Sequence, residues 1–142
     1  MLVRDAMTRR GHTIRNDKKL AAARAIMEWA SVAHLPVVDA QGALVGVITH
    51  DTLRAATPAA IDATIPRAES DRTLAVTPVS NAIVSDVPSV SADAAAWQAA
   101  ELMQQHRVTF LTVVDGTRVA GVVTASDLVA MIERTPNLRL SA

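Results

Sequence analysis

The chain repeats itself, and this constrains its fold more than any other feature. Val37-Val38-Asp39 recurs as Val113-Val114-Asp115, 76 residues later. In the same register Ala6 falls on Ala82, Asp17 on Asp93, Ala23 on Ala99, Met27 on Met103, Val32 on Val108 and Leu35 on Leu111. One residue is lost where Ala40-Gln41-Gly42 becomes Gly116-Thr117. The offset is then 75, pairing Gly46 with Gly121, Thr49 with Thr124 and Leu53 with Leu128. Similarity held in register, with its one gap in a turn, marks a duplicated structural unit. At 142 residues the chain has the size of one ordinary domain, or of two half-size units sharing a core.

Each copy shows the same local pattern. Asp17 and Asp93 are N-cap candidates, each ahead of an Ala-rich run of helix formers. Leu20, Ala23, Met27 and Ala30 share one helical face, as do Ala96, Ala99 and Met103. Trp29 and Trp97 lie off those faces. The β-branched runs at 35–38 and 111–114 lead through Gly-bearing turns to second strands at 44–48 and 119–123, a hairpin in each copy. Helices over 50–56 and 125–133 close the units, and short extended pieces are expected near 13–15 and 89–91.

This order is β-α-β-β-α twice, so the fold class is α+β. The first repeat is expected at 1–57, a linker at 58–76 with a helical turn near 59–63, the second repeat at 77–134 and a tail at 135–142. A small sheet with two helices leaves one sheet face bare. Two such units, packed with pseudo-two-fold symmetry, cover it and leave two related clefts, one per hairpin-to-helix corner.

Composition excludes several classes. With 14 basic and 14 acidic residues the net charge is zero, which leaves no electrostatic footprint for duplex nucleic acid. Trp29, Trp97 and Phe110 are too few aromatic residues for a base-stacking platform. The absence of cysteine removes disulfides, thiolate zinc sites and thiol nucleophiles, and suits a cytoplasmic location. No apolar stretch reaches the ~18–20 residues that span a bilayer, so no membrane is expected. His12, His34, His50 and His106 show no metal-ligand spacing, so no metal is expected. No nucleophile elbow, P-loop or dinucleotide fingerprint appears, so no catalytic residue is named and the chain does not read as an enzyme.

The repeat resembles the cystathionine-β-synthase (CBS) domain, and the whole chain a tandem pair, or Bateman module. The resemblance rests on Val3-Arg-Asp-Ala-Met-Thr8, the helix through Met27, Leu35-Pro-Val-Val-Asp39 and Gly46-Val-Ile-Thr49 in the first copy. In the second it rests on Val79-Ser-Asn-Ala-Ile83, the helix through Met103, Leu111-Thr-Val-Val-Asp115 and Gly121-Val-Val-Thr-Ala-Ser-Asp127-Leu128. It implies a regulatory module that binds AMP, ADP, ATP or S-adenosylmethionine between the copies, requires no cofactor, and pairs into flat homodimers.

The corner Gly121-x-x-Thr124-x-x-Asp127 has its own chemistry. Gly121 lets its strand approach another backbone or a ligand closely. Thr124 stands where strand gives way to helix, a place for an anion. Asp127, one turn on, can accept two hydrogen bonds from a ribose diol. The resemblance assigns Thr124 to phosphate and Asp127 to ribose. The same spacing also makes a capping box, which explains both residues without a ligand. By the resemblance, Asp5, Ala6 and Met7, with Val32, Ala33 and Phe110, line that cleft, while Arg9 and Arg10 offer charge to a phosphate. The second cleft takes His34, Thr49 and Asp51, with Ser80, Ala82 and Thr109 opposite. It departs from the pattern because Thr52 holds the position of the ribose acid and Asp51 sits one residue early. The resemblance implies a polar or basic residue near phosphates at the position of His34, so Phe110 at the equivalent position of the second copy disfavours a polyphosphate there.

The expected function is ligand sensing, with the signal passed to a separate effector protein. The alternative is a dimerisation scaffold whose nucleotide site has decayed.

Overall fold

A computed structural model describes residues 1–9 and 11–134. In chain order its elements are α1 (Val3–Ala6), β1 (Thr8–Arg9), β2 (Ile14–Arg15), α2 (Leu20–Ala30), β3 (His34–Val38), β4 (Leu44–Thr49), α3 (His50–Ala55), α4 (Pro58–Ile61) and α5 (Arg67–Val76). A 3-10 turn (Val79–Ala82) follows, then β5 (Ile83–Val84), β6 (Ser89–Ser91), α6 (Ala96–His106), β7 (Phe110–Asp115), β8 (Arg118–Thr124) and α7 (Ala125–Arg134). The expected tail from 135 lies outside the described residues.

The chain divides into two compact units. One is His12–Val87; the other joins Met1–Gly11 to the chain from Pro88 onward. Each has a four-stranded sheet, in the order β2-β3-β4-β5 in the former and β1-β8-β7-β6 in the latter. The ladders match between copies. His34 stands opposite Thr49 as Phe110 stands opposite Thr124, and the register shifts at Val37/Val38 as it does at Val113/Val114.

The first segment of each copy completes the sheet built by the other. Strand β1 pairs antiparallel with β8, and β5 with β4. Glycine permits both approaches. A Cβ on Gly121 would sit 2.3 Å from the Thr8 carbonyl oxygen, and one on Gly46 2.7 Å from that of Val84. The space at Gly121 is therefore filled by backbone.

These exchanged segments also cap the long helices, which corrects the expectation for Asp17 and Asp93. The N-cap residues of α2 and α6 are Lys19 and Ala95. The first amides are taken by carbonyls of the incoming segments: Leu20 donates to Thr77 (2.8 Å) and Ala96 to Met1 (3.0 Å). With those donors satisfied by backbone, Asp17 pairs with Arg15, and Asp93 with Arg4.

Each unit has its own core. Leu20, Ala23 and Met27 of α2 pack with Leu35, Val37 and Ile48, while Ala96, Ala99 and Met103 of α6 pack with Leu111, Val113 and Val123. These are the helical faces that the apolar spacing marked. Segment 58–76, expected as a linker with a helical turn near 59–63, carries that turn and a second helix beyond it. It holds α4 and the ten-residue α5, and Leu74 is fully buried in the core of its unit. Asp71 binds Arg24 at 2.7 Å, and the buried Ser70 hydroxyl accepts the Ala59 amide at 3.2 Å. No helix among the described residues is long and apolar enough to cross a membrane.

Candidate functional site

The hairpin β7–β8 ends at Thr124, and α7 starts at the next residue. The turn is closed reciprocally. The Thr124 amide donates to Asp127 Oδ2 (2.9 Å) and the Asp127 amide to Thr124 Oγ1 (3.1 Å), a complete capping box. The Ala125 amide donates to the Thr109 carbonyl at 2.8 Å. Thus the Ala125 and Asp127 amides of the first turn, at the place marked for an anion, are already occupied. Among the described residues, Asp127 Oδ1 accepts no hydrogen bond, and the side chain is half-buried.

Alternation along the strands sorts the neighbours. Phe110 lies opposite Thr124 and Thr8 opposite Val122, so these four share one face of the sheet with Thr112. Phe110 is buried, and the Thr112 hydroxyl is buried without a hydrogen-bond partner among the described residues. Gly121 and Val123 belong to the other face, and Arg9, paired with Gly121, leaves the ladder on that side. Arg10 lies outside the described residues. Asp5 caps α1 through Oδ2 to the Leu2 amide at 3.0 Å, while Ala6 and Met7 pack on the same core as Val123. Asp5, Ala6, Met7, Phe110, Gly121, Thr124 and Asp127 thus fall in one compact unit; Val32 and Ala33 belong to the other.

The equivalent corner of the His12–Val87 unit has the same backbone. The Thr49 amide donates to Thr52 Oγ1 (2.9 Å) and the Thr52 amide to Thr49 Oγ1 (3.1 Å), so a hydroxyl does the capping work that a carboxylate does in the other copy. The His50 amide donates to the Ala33 carbonyl at 3.2 Å. Burial, with a smaller contribution from nearby His50, holds the His34 imidazole below its usual pKa. Asp51 and Ser80 are exposed; Ala82 is buried in the 3-10 turn that packs on β4 and α3. Thr109 belongs to the opposite unit. The role of Thr52 as cap partner was readable from the Thr-x-x-Thr spacing. Those of the Ala33 and Thr109 carbonyls were not, because a backbone acceptor has no residue signature.

A separate hollow of about 560 Å³ lies between α2, α4 and α5, lined by Arg24, Thr57, Ala59, Ile65, Ser70 and Asp71. Several of its polar side chains bind one another or nearby groups: Arg24 to Asp71, Ser70 to the Ala59 amide, Thr57 to the Leu53 carbonyl and Thr64 to Asp62, while Arg67 also lines it. Among the described residues no group of three or more His, Cys, Asp or Glu side chains is placed to hold a metal.

Similarity to known proteins agrees with this geometry. The profile of the CBS domain matches residues 3–58 and 79–134. The CBS domain-containing protein YhcV of Bacillus subtilis is 30% identical over 127 residues, covering 89% of this chain and 81% of the relative. Other relatives are far longer: the chain spans 20% of the inosine-5'-monophosphate dehydrogenase of Methanocaldococcus jannaschii, at 32% identity over 117 residues and 82% of this chain. Among solved structures, AcuB of Vibrio cholerae superposes with TM-score 0.77 at 30% identity, covering 100% of this chain and 97% of that one. The fold also matches CBSX2 in complex with AMP (TM-score 0.76, 22% identity, 96% and 98% covered). It matches the CBS domain pair of MJ0100 in complex with 5-methylthioadenosine and S-adenosyl-L-methionine (TM-score 0.74, 23% identity, 94% and 97% covered). Two matched segments, each with the same ladder, the same bulge and the same capped corner, place this chain in the CBS-domain family as a tandem pair.

Proposed function

We propose that the chain is a regulatory, non-catalytic module that binds an adenosine-containing ligand at the Thr124–Asp127 corner. The observation that carries this reading is the state of Asp127. Its Oδ2 is fixed by the Thr124 amide at 2.9 Å, which orients the carboxylate, while Oδ1 accepts nothing among the described residues. A carboxylate held this way is set to accept a ribose diol without reorganising. Fold neighbours solved with AMP and with S-adenosyl-L-methionine support the ligand class. Binding shifts a partner only through different affinity for two arrangements of the chain, and we assign that output to a separate effector protein. Exposed Trp29, Trp97, Val129 and Ile132 support pairing with a second copy.

Thermal unfolding with AMP, ADP, ATP and S-adenosylmethionine tests the reading. A ligand at about 100 times its Kd adds about 2.7 kcal/mol, on the order of 5–10 °C for a chain of this size. The shift is expected in the wild type and is lost in Asp127→Ala. A wild type that ignores every adenosine compound contradicts it.

One observation favours a second reading, a dimerisation scaffold with a decayed site. Thr49 and Thr52 build a complete cap with no carboxylate, so the cap alone does not call for a ligand. The scaffold predicts dimers whose melting is indifferent to nucleotides.

A further inference from the structure

The two copies treat the outer side of their helix pairs differently. In the first copy α5 packs along α2 and α4 against α3, so that pair is covered from within the chain. In the second copy α1, the counterpart of the 3-10 turn, packs on α6 and α7, but among the described residues no helix stands in the place of α4 and α5. The residues on the two faces differ to match. Arg24, which binds Asp71 of α5, and Thr57, which precedes α4, line one hollow beneath the covering helices. Their equivalents in register are Ala100 and Ile132, which therefore stand over the same place on α6 and α7. Likewise Ala21 is replaced by Trp97 and Arg54 by Val129. Each change removes a charge, removes a hydroxyl or adds apolar surface. Trp97 is 39% exposed, Val129 54% and Ile132 36%, and the last two, three residues apart, share one side of α7. The exposed charges at its end, Glu133 and Arg134, are of opposite sign.

We infer that the α6–α7 face docks a second copy of this chain, α6–α7 against α6–α7 about a two-fold axis, and that the α2–α3 face takes no part. The first copy shows what such a helix pair accepts: another pair of helices. A two-fold contact sets one patch against itself, which suits an apolar strip whose rim charges, Glu133 and Arg134, can answer each other across the axis. On the α2–α3 side α4 and α5 already hold the equivalent place, and Trp29, whose equivalent is Gln105, lies outside the contact. The inference rests on the pairing read above and narrows it to one face.

Sedimentation velocity of the whole chain over a concentration series tests it, with circular dichroism to check that each variant folds. The wild type is expected to form dimers. Trp97→Ala and Val129→Arg each install the residue found at the equivalent place in the first copy. They are expected to weaken the dimer roughly tenfold and roughly a hundredfold, the second more because the new charge enters a symmetric contact twice. If Val129→Arg fails to fold, Trp97→Ala reads the same face. Trp29→Gln, by the same exchange in the other direction, is expected to leave the dimer constant within about twofold. It also leaves Trp97 as the one tryptophan, whose emission is expected to move to the blue as concentration raises the dimer fraction. A dimer that tolerates both face variants, or that is lost in Trp29→Gln, overturns the assignment of the face and leaves pairing intact. A wild type that stays monomeric at every concentration overturns both, including one whose Trp97 is already shielded by residues 135–142.

Discussion

At Asp127 one carboxylate serves the helix cap and the proposed ligand, and two substitutions separate these roles. Asp127→Ala removes the acceptor for the Thr124 amide, bonded at 2.9 Å, and is expected to cost about 0.5–1 kcal/mol in urea unfolding. Asp127→Asn keeps an acceptor and is expected to cost less than half of that, while still losing the ligand-induced shift. Equal losses of stability would mean that the cap depends on charge and not on the hydrogen bond. His34 makes a pH prediction. Its pKa is lowered in the folded chain, chiefly by burial, so between that lowered value and the ordinary 6.5 the unfolded chain binds more protons. Stability from this group is therefore unaffected above about pH 6.5, falls as the pH drops through that window, and levels off below it. Denaturation midpoints from pH 8 to pH 5 should show the fall, and His34→Phe should flatten it. At this scale the sequence displayed Thr124 and Asp127 plainly, because a cap is local and its spacing is fixed. Which amides were free to bind an anion was hidden, since the Thr109 carbonyl answers the Ala125 amide through tertiary contact.

Among the elements, α5 was the least legible. Its run Arg67-Ala-Glu-Ser-Asp-Arg72 is mostly polar, and it buries only Ser70 and Leu74, so no apolar stripe announces it. Leu74 nevertheless fills the core beside Leu20 and Met27. Leu74→Ala is expected to cost about 2–5 kcal/mol, read as a lowered midpoint with an unchanged slope. A cost within 0.5 kcal/mol would return 58–76 to the status of a tether. Strands β3, β4, β7 and β8, by contrast, were legible from β-branched runs around a Gly-bearing turn. Helices α2 and α6 were legible from Leu20, Ala23 and Met27 and from Ala96, Ala99 and Met103. Their starts were misplaced because acidic residues that look like caps lost the position to carbonyls arriving from Thr77 and Met1.

For the whole molecule, the duplication was visible in the register of 76 and 75 residues, but the exchange of first segments was not. Self-similarity says which residues are equivalent; it does not say which sheet each segment joins. Removing residues 1–9 takes β1 from the β8 edge, Val3 from the core and the Met1 carbonyl from the Ala96 amide. Hydrogen exchange is therefore expected to accelerate in β8 and at the start of α6, and much less in α2, β3 and β4. Equal acceleration in both units would contradict their separate cores. The central claim is that Asp127 holds a ribose. The most direct measurement is a crystal structure of the chain grown with saturating adenosine. The account predicts both ribose diol oxygens within hydrogen-bond distance of the Asp127 carboxylate; adenosine bound elsewhere, with Asp127 touching only Thr124, would contradict it.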